Sequence, residues 1–199
     1  MSHDPVLFYF DIVCPYAYLA STQLKRLENH YKIEFQLQPI LLGGILKALD
    51  TPTPMSTMPP QKLRHNFLDM HRWAEHWNVP FNFPTQHPQR TLLPQRCLHA
   101  FPEKTRELTT LFYRAYWVEN LDVTDEQVMI DWLNKHSFAG EQLIRASKTE
   151  DVKHKLRSAT ENALNKGVFG VPSFEIDGEL FWGQDRLIFV EQRLEERRT

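Results

Sequence analysis

Val6-Leu7-Phe8-Tyr9-Phe10-Asp11-Ile12-Val13-Cys14-Pro15-Tyr16-Ala17-Tyr18-Leu19-Ala20 is the stretch whose reading organises the rest of the chain. Its first five residues are strand formers with no polar break, the composition of a buried strand. Pro15 suits the first position of a helix, because its ring fixes φ near the helical value and its missing N–H is not needed there. Leu19, Leu24 and Leu27 extend an apolar helix face to about Asn29. Ile33-Glu34-Phe35-Gln36-Leu37 alternates and predicts a second strand. Strand, helix, strand over this span is a βαβ unit with parallel strands.

The far end also returns to strands. Ser173-Phe174-Glu175-Ile176 and Glu179-Leu180-Phe181-Trp182 flank Asp177-Gly178, and Asp-Gly between apolar runs predicts a β-hairpin. Gly183-Gln184-Asp185 then opens a last helix with Leu187, Val190 and Leu194 on one face. Between the two ends the character is helical. The proline-rich loop Thr51 to Pro60 leads into expected helices over Gln61–Trp77, Leu93–Phe101, Thr105–Asn120, Thr124–His136 and Gly140–Ala146. A further helix opens at Thr149 or Asp151 and runs to about Lys166. Thr124-Asp125-Glu126-Gln127 has the pattern of a capping box, and Pro80 to Pro88 is an aromatic, proline-rich crossover. The economical reading is an α/β core, residues 1–42 plus 165–199, split by a helical insertion at 43–164.

With 199 residues, 42% of them hydrophobic, the chain buries a proper core without staples. A net charge of −2 gives no reason to expect a nucleic-acid partner. The start, Met1-Ser2-His3-Asp4-Pro5, lacks the basic and apolar regions of a secretory signal, and no apolar run is long enough for a membrane span. A cytoplasmic setting is the expectation, and the two cysteines, Cys14 and Cys97, form no disulfide framework. Cys97 lies in an apolar helical stretch and reads as core. His71 and His76 are wrongly spaced for one helix face, so no metal site is expected.

Cys14 opens a helix, where unpaired N–H groups and the helix dipole favour a thiolate. A dithiol enzyme would carry a second cysteine three residues on, and Ala17 stands there, which points to single-thiol chemistry with glutathione as partner. Read alone, Cys14 is equally a buried cysteine at a helix start. Val171-Pro172 follows a glycine and precedes a strand, which is the setting of a cis proline that offers its neighbour's backbone to an extended peptide; an ordinary strand-initiating proline fits as well. The backbone around Trp182-Gly183-Gln184-Asp185 offers N–H groups to a carboxylate and Asp185 offers a charge to an ammonium, or the segment simply caps its helix. A γ-glutamyl group carries both complements.

Taken in order, three segments resemble the kappa-class glutathione transferase and 2-hydroxychromene-2-carboxylate isomerase branch of the DsbA-like thioredoxin superfamily. They are Phe8 to Ala20, then Val168-Phe169-Gly170-Val171-Pro172-Ser173-Phe174, then Phe181-Trp182-Gly183-Gln184-Asp185-Arg186-Leu187. Asp69-Met70-His71-Arg72-Trp73-Ala74 and Val79-Pro80-Phe81-Asn82-Phe83-Pro84 are similar to that branch too. The resemblance implies a thioredoxin-like fold (βαβ … αββα) with a helical insertion, a homodimer, and glutathione as cofactor. It places Cys14 at the glutathione sulfur, Val171 beside a cis Pro172 along the glutathione backbone, and Trp182, Gly183, Gln184 and Asp185 at the γ-glutamyl end. On the substrate side it suggests Tyr16, Lys47, His87 and Arg90, the last two as partners of a carboxylate on a small hydrophobic or aromatic electrophile. His87 and Arg90 otherwise read as part of a solvated loop, and the stripe Lys62, His65, Asp69, Arg72 as an exposed helix face. The departure is Cys14 itself, where the relatives usually carry serine. A serine only hydrogen-bonds the glutathione sulfur, whereas a cysteine can also form a disulfide with it.

Overall fold

The structure is a computed structural model and describes residues 4–198. Residues 1–3 and 199, which include the start of the N-terminal stretch, lie outside the described residues. The chain begins with β1 (Val6–Phe10), α1 (Pro15–Ser21), α2 (Leu24–Tyr31) and β2 (Phe35–Pro39). It continues with α3 (Leu42–Ala48), α4 (Pro54–Thr57), α5 (Pro60–His76), α6 (Leu92–Ala100), α7 (Thr105–Trp117), α8 (Glu126–Lys135), α9 (Gly140–Ser147) and α10 (Glu150–Asn165). The end is β3 (Ser173–Ile176), β4 (Glu179–Trp182), a single 3-10 turn at Gln184–Arg186 and α11 (Leu187–Glu196).

The sheet order is β2-β1-β3-β4. β1 and β2 are parallel, Val6 opposite Phe35 and Phe10 opposite Pro39. β3 runs antiparallel to β1 with Phe8 opposite Phe174, and β4 closes the antiparallel hairpin. Asp177 and Gly178 both have positive φ, 52° and 80°, the conformation that a two-residue hairpin turn requires. This is the thioredoxin-like α/β sheet with helices between its halves. β1 is buried along its whole length. Phe8, Phe35 and Phe174 meet in one aromatic cluster on one sheet face, and α10 packs on β2.

Several boundaries differ from expectation for local reasons. The first helix breaks at Thr22–Gln23, where Ser21 Oγ and Thr22 Oγ1 donate to the carbonyls of Tyr18 and Leu19 and compete with the helix ladder. The second strand starts at Phe35 rather than Ile33, because the buried Glu28 carboxylate accepts the Phe35 N–H and Arg106 pairs with the same oxygen. The residue capping α8 is Asp125, which accepts from Val128 N–H at 3.0 Å; the Thr124 hydroxyl donates to Asp122 instead. α3, with Gly43 and Gly44 in its first turn, had no sequence signal.

Candidate active site

β1 delivers residues 11–14 to the end of the sheet, and helices α3, α6 and α7 hold them. Trp117 Nε1 of α7 donates to the Ile12 carbonyl at 2.8 Å. Gln95 Nε2 of α6 donates to the carbonyls of Phe10 (3.2 Å) and Ile40 (2.9 Å). Thr91 Oγ1 donates to Asp11 Oδ1 at 2.6 Å, and Leu42 N–H donates to Asp11 Oδ2 at 2.8 Å. These hydrogen bonds form between buried groups and so fix the loop that carries Cys14, although Gln95 Oε1 itself has no partner among the described residues.

Cys14 is the N-cap of α1 and is 8% exposed. Its Sγ donates to the Val171 carbonyl at 3.2 Å, across the cis Val171–Pro172 bond. The expected thiolate is not what the structure favours: burial pushes the Cys14 thiol up to about 12, and the Asp11 charge adds to this, while the amides of Ala17 and Tyr16 pull the other way. α1 has only seven residues, so its positive end is weak against that desolvation. One of the two Val171 backbone groups, the carbonyl, is already taken by the Cys14 sulfur. The Val171 N–H donates to no described residue.

The Gln184–Arg186 turn packs against α1. Gln184 is buried and forms no side-chain hydrogen bond among the described residues. Gly183 has φ 112°, and a Cβ there would lie 2.5 Å from Asp185 Oδ1. Asp185 is exposed and pairs with Arg186 at 2.7 Å, so its free charge is smaller than the sequence suggested. Trp182 lies over Gly170, whose Cβ would come 2.7 Å from the indole nitrogen, and forms an exposed aromatic pair with Phe169. The half-buried Tyr16 phenol is pushed up to about 12, chiefly by burial.

The structure thus brings Cys14, Tyr16 and Val171 together, with the 183–186 turn against their helix. Lys47 is exposed in the last turn of α3. Arg90 is exposed and has no ion-pair partner among the described residues. His87 sits against the Phe83 and Trp117 rings, and burial lowers its imidazole to about 4. Its Nδ1 lies 2.9 Å from the Tyr116 hydroxyl, whose oxygen accepts the Gln89 N–H, so the phenol proton faces a neutral ring. Cys97 is buried in the core, 3.9 Å from the Leu143 carbonyl. Sequence reasoning passed over Asp11, Thr91, Gln95 and Trp117. Asp11 had a signal, a lone carboxylate inside an apolar run that continues β1.

A family model for the DsbA-like thioredoxin domain matches residues 5–195. The chain belongs to the DsbA-like thioredoxin family. It is 25% identical over 187 residues to the 2-hydroxychromene-2-carboxylate isomerase of Sphingobium xenophagum, covering 94% of this chain and 96% of that one. It is 27% identical over 208 residues to human glutathione S-transferase kappa 1, covering 96% and 91%. A solved 2-hydroxychromene-2-carboxylate isomerase superposes on this DsbA-like chain with a TM-score of 0.84, at 24% identity, covering 97% and 95%. Relatives of this DsbA-like protein thus include named isomerases and glutathione transferases, both enzymes.

Proposed function

We propose that the protein is a glutathione-dependent isomerase of the 2-hydroxychromene-2-carboxylate isomerase type, or a related kappa-class transferase. The observation that carries this reading is the state of Cys14: a buried thiol donating to Val171, with Ala17 where a resolving cysteine would stand. In this reading the S–H turns from the Val171 carbonyl to the sulfur of glutathione when the peptide docks, and a thiol that keeps its proton is a poor nucleophile. Glutathione lies along Val171, Pro172 and the Trp182-Gly183-Gln184-Asp185 segment. Its thiolate accepts the Cys14 S–H and adds to an electrophilic carbon conjugated to a carbonyl. The carbonyl oxygen takes up the electron pair, the former double bond rotates, and the pair returns to expel the thiolate.

The substrate is a small hydrophobic or aromatic electrophile. The exposed rings of Phe67, Phe169 and Trp182 support that class. Tyr16 reaches it from the site, and Lys47 and Arg90 serve as exposed cations for its acid group. In this reading the α/β part, 1–42 plus 165–199, holds glutathione and the insertion at 43–164 holds the second substrate. The protein acts as a homodimer in the cytoplasm, which the exposed Ile188 and Phe189 on α11 support as a self-association face. Isothermal titration of the reduced protein with millimolar glutathione tests the proposal, with saturable heat expected. The absence of binding overturns it.

The monothiol oxidoreductase alternative, with Cys14 as nucleophile, draws on the DsbA-like fold. It requires a Cys14–glutathione disulfide after treatment with oxidised glutathione, visible by intact mass. A non-catalytic binding module requires no turnover in either the parent or Cys14→Ser. Turnover that survives Cys14→Ser separates the proposed enzyme from both.

A further inference from the structure

Tyr116 of α7 is 0% exposed, so its hydroxyl proton must find an acceptor inside the protein. The phenol oxygen accepts the Gln89 N–H at 2.9 Å, and His87 Nδ1 lies 2.9 Å from the same oxygen. Among the described residues, Nδ1 is the acceptor that this proton has. A hydrogen on Nδ1 would orphan the buried phenol proton, at a cost of about 1–3 kcal/mol. Nδ1 is therefore bare, and the proton of the neutral ring sits on Nε2. The ring is held in place by Phe83, Trp117 and Tyr116, with ring centres at 4.9, 5.2 and 5.9 Å. Burial lowers the imidazole to about 4, so the ring carries no charge at neutral pH. Its Nε2–H hydrogen-bonds to no described residue and, unlike Gln95 Oε1 or Thr109 Oγ1, is not sealed from solvent. His87 thus presents a fixed, uncharged donor with nothing on it.

One indole separates this donor from the reactive loop. Trp117 Nε1 donates to the carbonyl of Ile12, two residues before Cys14, while the Trp117 ring meets His87. Phe81 stacks on Trp117 at 5.6 Å and on Tyr18 of α1 at 6.4 Å, so rings run from the helix that Cys14 opens to His87. The half-buried Phe83 and Phe81 give the donor an aromatic rim. Such a rim suits a flat, conjugated molecule, and its single uncharged N–H suits a neutral oxygen. A carboxylate would lose more solvation there than one uncharged donor returns. We propose that His87 Nε2–H is the hydrogen-bond donor that holds the carbonyl oxygen of the second substrate. The inference rests on the glutathione-addition reading and deepens it, by assigning a residue to the oxygen. As the carbon–sulfur bond forms, the electron pair of the double bond moves onto that oxygen, and Nε2–H donates to it more strongly. The proton stays on nitrogen throughout, and the carbon–sulfur bond breaks when the pair returns. A neutral imidazole polarises a carbonyl in this way without gaining or losing a proton.

The test reads His87 directly and needs no glutathione. The protein is labelled with 15N-histidine, and His87→Gln assigns the His87 ring signals by their loss. Long-range 1H–15N spectra of the parent at neutral pH should show the Nε2–H tautomer. The probe is 4-phenylbutan-2-one, a saturated aryl ketone to which no thiol adds. Its addition should move the His87 Nε2 signal saturably. Ketone-observed NMR titration then compares affinities. His87→Gln keeps an acceptor for Tyr116 and an N–H for the ketone, so its affinity should stay within about threefold of the parent's, whereas His87→Phe keeps a ring without a donor and should bind about fivefold more weakly. An Nδ1–H tautomer or an imidazolium in the parent at neutral pH overturns the proposal. So does an Nε2 signal that stays unmoved up to about 20 mM ketone, or one that 4-phenylbutanoate moves and the ketone does not. Equal ketone affinity in the parent and a folded His87→Phe overturns it as well. If His87→Phe lacks native near-UV circular dichroism, the parent tautomer and the Nε2 shift decide. Calorimetry with glutathione is run separately: lost glutathione binding with an intact ketone shift counts against the functional reading alone.

Discussion

At the scale of the residue, Cys14 was legible as a candidate from its place before Pro15, but the depth of its burial was not. A helix start suggests a thiolate, and only the packed structure shows that desolvation outweighs a seven-residue helix. A donor role predicts that Cys14→Ser keeps kcat/KM for glutathione-dependent turnover within about tenfold of the parent. Cys14→Ala should lose more than about tenfold, since a hydrogen bond to a charged sulfur is worth about 1.5–3 kcal/mol. The surroundings of His87 were hidden for a related reason: a histidine in a proline-rich loop looks solvated until the Phe83 and Trp117 rings are placed around it. Its folded-state value, about 4, lies below its ordinary 6.5. The unfolded chain therefore takes up the proton first, and stability is present above the ordinary value and lost as pH falls through the window between the two. The melting temperature should fall across that window in the parent, and His87→Gln, which keeps a partner for Tyr116, should flatten the slope. An unchanged slope in His87→Gln contradicts the burial of this ring.

At the scale of the element, what sequence revealed was what local rules fix. The β1 apolar run, Pro15 at a helix start and Asp177-Gly178 in a hairpin turn each depend on neighbours in the chain. The start of β2 and the existence of α3 depend on distant partners, Glu28 with Arg106 for the first and the Asp11 carboxylate at Leu42 for the second. The turn after β4 allows a sharper test. Gly183→Ala places a Cβ against Asp185 in a backbone that side chains rarely adopt, whereas Gly178→Ala shares the positive φ but points its Cβ into open space. Both should lose about 1–2 kcal/mol of stability in urea unfolding. Only Gly183→Ala should also weaken glutathione binding, read by calorimetry. Equal glutathione affinity in both variants removes this turn from the site.

At the scale of the whole molecule, sequence separates an α/β core from helices, while the hydrogen bonds join them. Thr91, Gln95, Tyr113 and Trp117 all reach residues 10–12, so the reactive loop is held as much by the helices as by its own strand. That predicts one cooperative transition in urea, with far-UV and near-UV circular dichroism changing together. A separate early loss of part of the helical signal contradicts it. These contacts were not legible in advance, because each pairs a polar side chain with an acceptor far away in the chain, the Asp11 carboxylate for Thr91 and backbone carbonyls for the other three, and no local pattern marks such a pair. The central claim is that glutathione supplies the reacting sulfur and Cys14 assists it. It is tested most directly by a crystal structure of the reduced protein with glutathione. The account predicts the glutathione sulfur about 3–4 Å from Cys14 Sγ, within hydrogen-bonding range and unbonded, with the peptide along Val171. A disulfide bond of about 2.0 Å between the two sulfurs, or glutathione bound elsewhere, contradicts it.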